Sequence, residues 1–167
     1  MEKIGDAATA EAKVVRDMQE LVAKVKRLAA QDVKDADYGI ALLRLIRAEI
    51  GEDLNQIQHE YLILRGVRWL VANGFGSGLE WEWNPRQTGS GNEPDLRGSA
   101  DGRVVVSAEA TTSENPVGTI DTRMKKTLEK LSQMEGNKFY FVCAEGMAKR
   151  AETKVAKGGW AIKVVRV

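Results

Sequence analysis

Residues 93–112 read EPDLRGSADGRVVVSAEATT. RVVVSAEA is rich in β-branched residues and reads as a strand, DLRG as a short extended segment before it, and Asp101-Gly102 between them as a hairpin turn. The length of that turn governs what the hairpin can do with its two acids, Asp95 and Glu109. With a three-residue loop, Ala100-Asp101-Gly102, Ser99 pairs with Arg103, Asp95 falls across from Ser107, and the two acids share a face. A two-residue loop puts them on opposite faces. Along the longer strand Val104, Val106 and Ala108 share one side, while Val105, Ser107, Glu109 and Thr111 share the other. Two carboxylates converging on one face suit Mg²⁺, which is usually held by one or two carboxylates with water and substrate phosphate. A strand that ends in solvent with two exposed acids fits the same residues, and both alternatives stay open on these residues alone.

Outward from the hairpin, the chain changes character near residue 76. Before it, helix is expected almost throughout. Asp6 can cap a first helix whose apolar residues Val14, Val15, Met18, Leu21, Val22, Val25 and Leu28 recur at helical spacing. That stripe can pack on the domain or on a second copy of the chain. A second helix is expected from Asp37 to Ile50, ended by Gly51, and a third from Glu52-Asp53 to Asn73, stopped by Gly74. After residue 76, LEWEW (79–83) alternates as a strand and NPRQTGSGNEP is loop by composition. IDTRMKKTLEKLSQM is a helix with Ile120, Met124, Leu128 and Leu131 on one face. KFYFVCAE is a buried strand, GMAKRAETKVAK a short helix, and WAIKVVRV a last strand. The order is that of an α/β fold.

A chain of 167 residues, 29 % charged and 43 % apolar, fits one domain with an appended helical element. No apolar run reaches the eighteen or so residues of a membrane span, and the first residues lack a secretory signal, so a cytoplasmic setting without membrane contact is expected. The lone Cys143, inside the apolar run FYFVCA, reads as a buried inert thiol. A formal charge of +1 requires any polyanion to be met by a local basic patch. GFGSG (74–78) follows a helix and precedes a strand, the reverse of a phosphate-binding loop. His59, the sole histidine, excludes a multi-histidine zinc site; a single catalytic histidine stays open beside the commoner exposed or capping role. The four tryptophans, Trp69, Trp81, Trp83 and Trp160, read as packing residues, with stacking of Trp81 or Trp83 on a base as the alternative.

Pro94-Asp95, a spacer, and Glu109-x-Thr111 at the end of an apolar strand resemble the PD-(D/E)xK superfamily, the restriction-endonuclease-like fold. The resemblance covers about residues 54–167. It implies a mixed central sheet flanked by helices, with residues 1–50 as an N-terminal helical extension and dimerisation element and residues 51–167 as the nuclease domain. It implies further that Asp95 and Glu109 hold Mg²⁺, with Mn²⁺ as a substitute, and that Glu60 on the preceding helix is an additional metal-site acid. The family's lysine is replaced by Thr111. Three readings of that departure stand. The positive charge has moved to the following helix, where Arg123, Lys126 and Lys130 lie along one edge of the apolar face, Lys126 first and Arg123 second. Alternatively Thr111 marks a module that no longer hydrolyses, or the lysines are simply solvated. The implied activity is hydrolysis of a phosphodiester in DNA by a homodimer. The rival is an inactive nucleic-acid-binding or protein-interaction module on the same fold.

Overall fold

The computed structural model describes residues 1–5, 7–76, 78–84 and 92–167. Asp6, expected to cap the first helix, Ser77 of the glycine-rich stretch, and most of the loop expected over 84–94 lie outside the described residues. The elements in chain order are β1 (Glu2–Ile4), α1 (Ala7–Ala29), α2 (Ala36–Leu70), β2 (Glu80–Trp83), β3 (Leu96–Ala100), β4 (Arg103–Thr111), α3 (Thr119–Ser132), β5 (Asn137–Val142), α4 (Glu145–Gly158) and β6 (Ile162–Arg166). The fold is α/β: one six-stranded mixed sheet whose spatial order follows the sequence, flanked by four helices. β1 to β4 are antiparallel neighbours, whereas β4, β5 and β6 run parallel, joined by α3 and α4 as crossovers. No helix among the described residues is long and apolar enough to cross a membrane.

Each face of the sheet carries its own apolar layer. Val106, Ala108 and Ala110 of β4, with Phe139 and Phe141 of β5, pack under α2 through Ile63, Val67 and Leu70. Tyr140 and Val142, on the alternate side of β5, pack with Met124, Leu128 and Leu131 of α3 and Met147 and Ala151 of α4. α2 comes unusually close to the sheet at Gly66, where an added Cβ would lie 2.7 Å from the Phe141 ring. That glycine lets the helix lie close against β5.

Two helical expectations are corrected. α2 is one helix from its Asp35 cap, whose side chain accepts from the Tyr38 N–H, to Leu70; Gly51 lies inside it. A glycine in a helix interior costs about 1 kcal/mol against alanine, which 35 residues of packed helix absorb. The boundary expected between residues 50 and 51 thus falls within α2, and Glu2–Ile4, unmarked by any pattern, joins the same sheet through β2. The stripe on α1 is also two stripes. Val14, Leu21 and Leu28 are buried in the antiparallel α1–α2 hairpin, while Val15, Met18, Val22 and Val25 are exposed. Charge pairs flank the hairpin seam: Lys24 with Asp53 at 2.6 Å, Lys13 with Glu60 at 2.8 Å, and Arg68 with Glu11. The buried thiol expected at Cys143 is an exposed one, its Sγ 3.2 Å from the carbonyl of Thr112. The sheet's buried run stops at Val142, one residue earlier.

Candidate active site

The β3–β4 turn is the short one. Ala100 pairs with Arg103, and the two loop residues Asp101 and Gly102 have φ of 49° and 72°, both positive as a tight hairpin of this kind requires. Taken alone, that register would part the two acids. A bulge corrects it. Ser99 pairs with Val104 but Gly98 with Val106, so Val105 has no partner on β3 and the register beyond advances by one. The Val105 carbonyl accepts instead from Asn137 Nδ2 at 3.1 Å. Leu96 then pairs with Ala108, which brings Asp95, one residue before β3, opposite Glu109. The acids share a face by this route, not through the three-residue loop that the sequence suggested.

Both are buried: Asp95 is 3 % exposed and Glu109 4 %. That burial removes the alternative of a strand ending in solvent with two free acids. Asp95 Oδ2 accepts from the Ala110 N–H at 2.8 Å and from His59 Nε2 at 3.1 Å. Lys130 Nζ lies 2.5 Å from Glu109 Oε1 but donates its aligned hydrogen bond to the Glu93 carbonyl, so Oε1 has a charge partner and no hydrogen bond. Burial and the neighbouring Asp95 carboxylate push the Glu109 carboxyl up to about 8, against the Lys130 ammonium. Burial lowers the pKa of His59, but contacts with Asp95, Glu109 and the Ala110 backbone outweigh it, and the net direction is upward.

Asp95, Glu109 and His59 line a cleft of about 750 Å³ between α2, the end of β4 and α3. Arg47, Glu52, Asn55, Gln56 and His59 line it from α2, and Arg123 and Thr127 from α3. Thr111 also lines it, its Oγ1 accepting from the Tyr140 hydroxyl at 2.7 Å. Of the residues singled out in the sequence, Asp95, Glu109, Thr111 and Arg123 are therefore brought together. Two are not. Glu60, though buried, accepts from Lys13 and Gln56 on the α1 side and is absent from the cleft lining. Lys126 is exposed and pairs with neither acid; the lysine at the carboxylates is Lys130, one turn later, which like Lys126 is not part of the cleft lining but lies 2.5 Å from Glu109. His59, for which the sequence favoured an exposed or capping role over a catalytic one, is the residue brought to the carboxylates without having been counted among the site residues. A single helical step of about 100° separates it from Glu60. Its alignment with Glu52, Asn55 and Gln56 in a polar strip was the available signal.

Among the described residues, no group of three or more His, Cys, Asp and Glu is placed to hold a metal ion. A hard cation bound mainly by water and substrate needs only the two carboxylates. Toward such a cation the pair offers Glu109 Oε1, buried without a hydrogen bond and 2.5 Å from the Lys130 ammonium, beside a carboxylate held by fixed donors. No family model, no curated protein and no solved structure matches the chain.

Proposed function

We propose that the chain is a metal-dependent nuclease of the PD-(D/E)xK type, hydrolysing a phosphodiester of DNA in the cleft between α2 and α3. The observation that carries this reading is the buried Asp95–Glu109 pair with the Lys130 ammonium beside it. Two adjacent acids are costly to bury, the lysine beside them being only partly so at 31 % exposed, and such clusters are concentrated at sites of chemistry. Asp95 and Glu109 would hold Mg²⁺ or Mn²⁺, with Oδ1 of Asp95 as its available oxygen because Oδ2 is engaged by the Ala110 N–H and His59. Bound there, the cation supplies a water of lowered pKa and neutralises charge on the phosphate. His59 orients the Asp95 carboxylate and keeps its charge balanced. Lys130 of α3, outside the cleft lining but 2.5 Å from Glu109, would supply beside the carboxylates the preorganised positive charge that the family's lysine would have given from position 111. Thr111 holds its neighbour Tyr140 in place.

The homodimer belongs to the same proposal. Val15, Met18, Val22 and Val25 recur in alternating steps of three and four residues, and Ile40, Leu43 and Leu54 of α2 are exposed as well. On a helical wheel both sets lie on the side of the α1–α2 hairpin turned away from the sheet, a seam suited to two-fold pairing with a second copy.

Cleavage tests the function directly. The wild type should nick plasmid DNA with Mg²⁺ or Mn²⁺ and not with chelator, and Asp95→Asn should be inert. A folded wild type that cuts no nucleic acid under either metal supports the inactive binding module instead.

A further inference from the structure

Arg47 on α2 and Arg123 on α3 line the cleft from opposite sides, and both are exposed. Neither takes part in an ion pair or hydrogen bond among the described residues, in a protein where many neighbouring charges are paired: Arg150 and Lys154 on Asp121, Lys24 on Asp53, Lys149 on Glu145. Glu52 is the one exposed carboxylate among the lining residues, which leaves the two guanidiniums in excess at the rim. The remaining lining mixes polar residues, Asn55, Thr112, Ser113 and Thr127 among them, with the apolar Ile120 and Met124, and among the described residues it contains no Phe, Tyr or Trp. The tryptophans are used elsewhere. Trp83 is buried, Trp81 covers Gly98, Trp69 packs on Phe139 and Phe141, and Trp160 packs on Gly158.

Single strands are bound largely by stacking bases on aromatic side chains, worth about 1–3 kcal/mol per base. A cleft without such a platform, carrying forked cations on both walls, is built for phosphates. We infer that Arg47 and Arg123 clamp phosphates on either side of the Asp95–Glu109 pair, and that the cleft takes the backbone of double-stranded DNA without stacking on its bases or reading them. This deepens the proposed activity and rests on it for the position of the scissile bond.

The test is fluorescence anisotropy in chelator, where nothing is cut, with a labelled DNA duplex of about two helical turns, a second duplex of unrelated sequence, and the single strand. The duplexes should bind alike and more tightly than the single strand. Each of Arg47→Ala and Arg123→Ala should flatten the dependence of log affinity on log salt by about one, and Arg→Lys at either position should restore it. Tighter binding of the single strand, no binding of duplex, or an unchanged salt slope in both alanine variants overturns the inference. The two proposals fail separately. A duplex bound as described but never cut sinks only the nuclease, and full-rate cleavage with unaltered salt slopes sinks only the clamp.

Discussion

Lys130 Nζ stands 2.5 Å from Glu109 Oε1, although the two residues come from α3 and from the end of β4. Position 111, two residues beyond Glu109 on the same strand, carries a threonine whose hydroxyl is bonded to Tyr140. The positive charge at the carboxylates therefore comes from a helix and not from the strand. Lys130→Ala should lower the cleavage rate by a few orders of magnitude, as loss of preorganised transition-state charge does elsewhere. Lys126→Ala should leave it within a few-fold. Adding Thr111→Lys to Lys130→Ala should recover part of the loss, measured as single-turnover rate on plasmid. Equal losses from the two lysines would contradict this assignment.

The Glu109 carboxyl, pushed up to about 8 from an ordinary 4.5, ties stability to pH. A group that binds its proton more tightly when folded contributes stability that is complete below the unfolded value and disappears as pH rises through the folded one. In chelator, the melting temperature should therefore fall as pH rises from about 5 to beyond 8. Glu109→Gln, which imitates the protonated form, should remove most of that slope. A slope identical in the variant would place its origin elsewhere.

Glu60 is assigned to the α1–α2 seam. Lys13→Met leaves a buried carboxylate without its ammonium, Gln56 being its remaining partner. Because the lysine is itself 31 % exposed, the loss should be moderate, about 1–3 kcal/mol in urea unfolding. Glu60→Gln should keep metal binding at the cleft, and loss of that binding would return Glu60 to the metal site.

Val22→Glu with Leu43→Glu places charge on the outer face of the hairpin without touching its inner seam. Light scattering should report a dimer for the wild type and a monomer for the double variant, each with unchanged circular dichroism. A wild-type monomer across the micromolar range would remove the pairing.

The strands were legible because alternation in LEWEW and β-branched density in RVVVSAEA are local signals, and the crossover helices because their apolar faces repeat cleanly. The α/β class followed from their order. What escaped were features settled by tertiary contact. Gly51 reads as a stop but is carried through by the packing of α2 on both sides of it. The bulge at Val105 has no mark of its own, since a carbonyl anchored by Asn137, 32 residues away, helps to fix it. Asp95 and Glu109 were found from their motif, yet on a wrong premise about the turn that the bulge happened to compensate. Glu60, expected at the metal site, lies in the α1 seam and its neighbour His59 in the cleft, because one step along a helix decides between the two. Lys126 gave way to Lys130 for a like reason, one turn along α3.

The most direct measurement is calorimetric titration of Mn²⁺ into the metal-free protein. One saturable site is expected, its affinity rising between pH 6 and 8 as the Glu109 proton leaves, and lost in Asp95→Asn with the fold intact. Absence of saturable binding in a folded wild type, or binding that Asp95→Asn leaves unchanged, would contradict a metal site at the carboxylate pair.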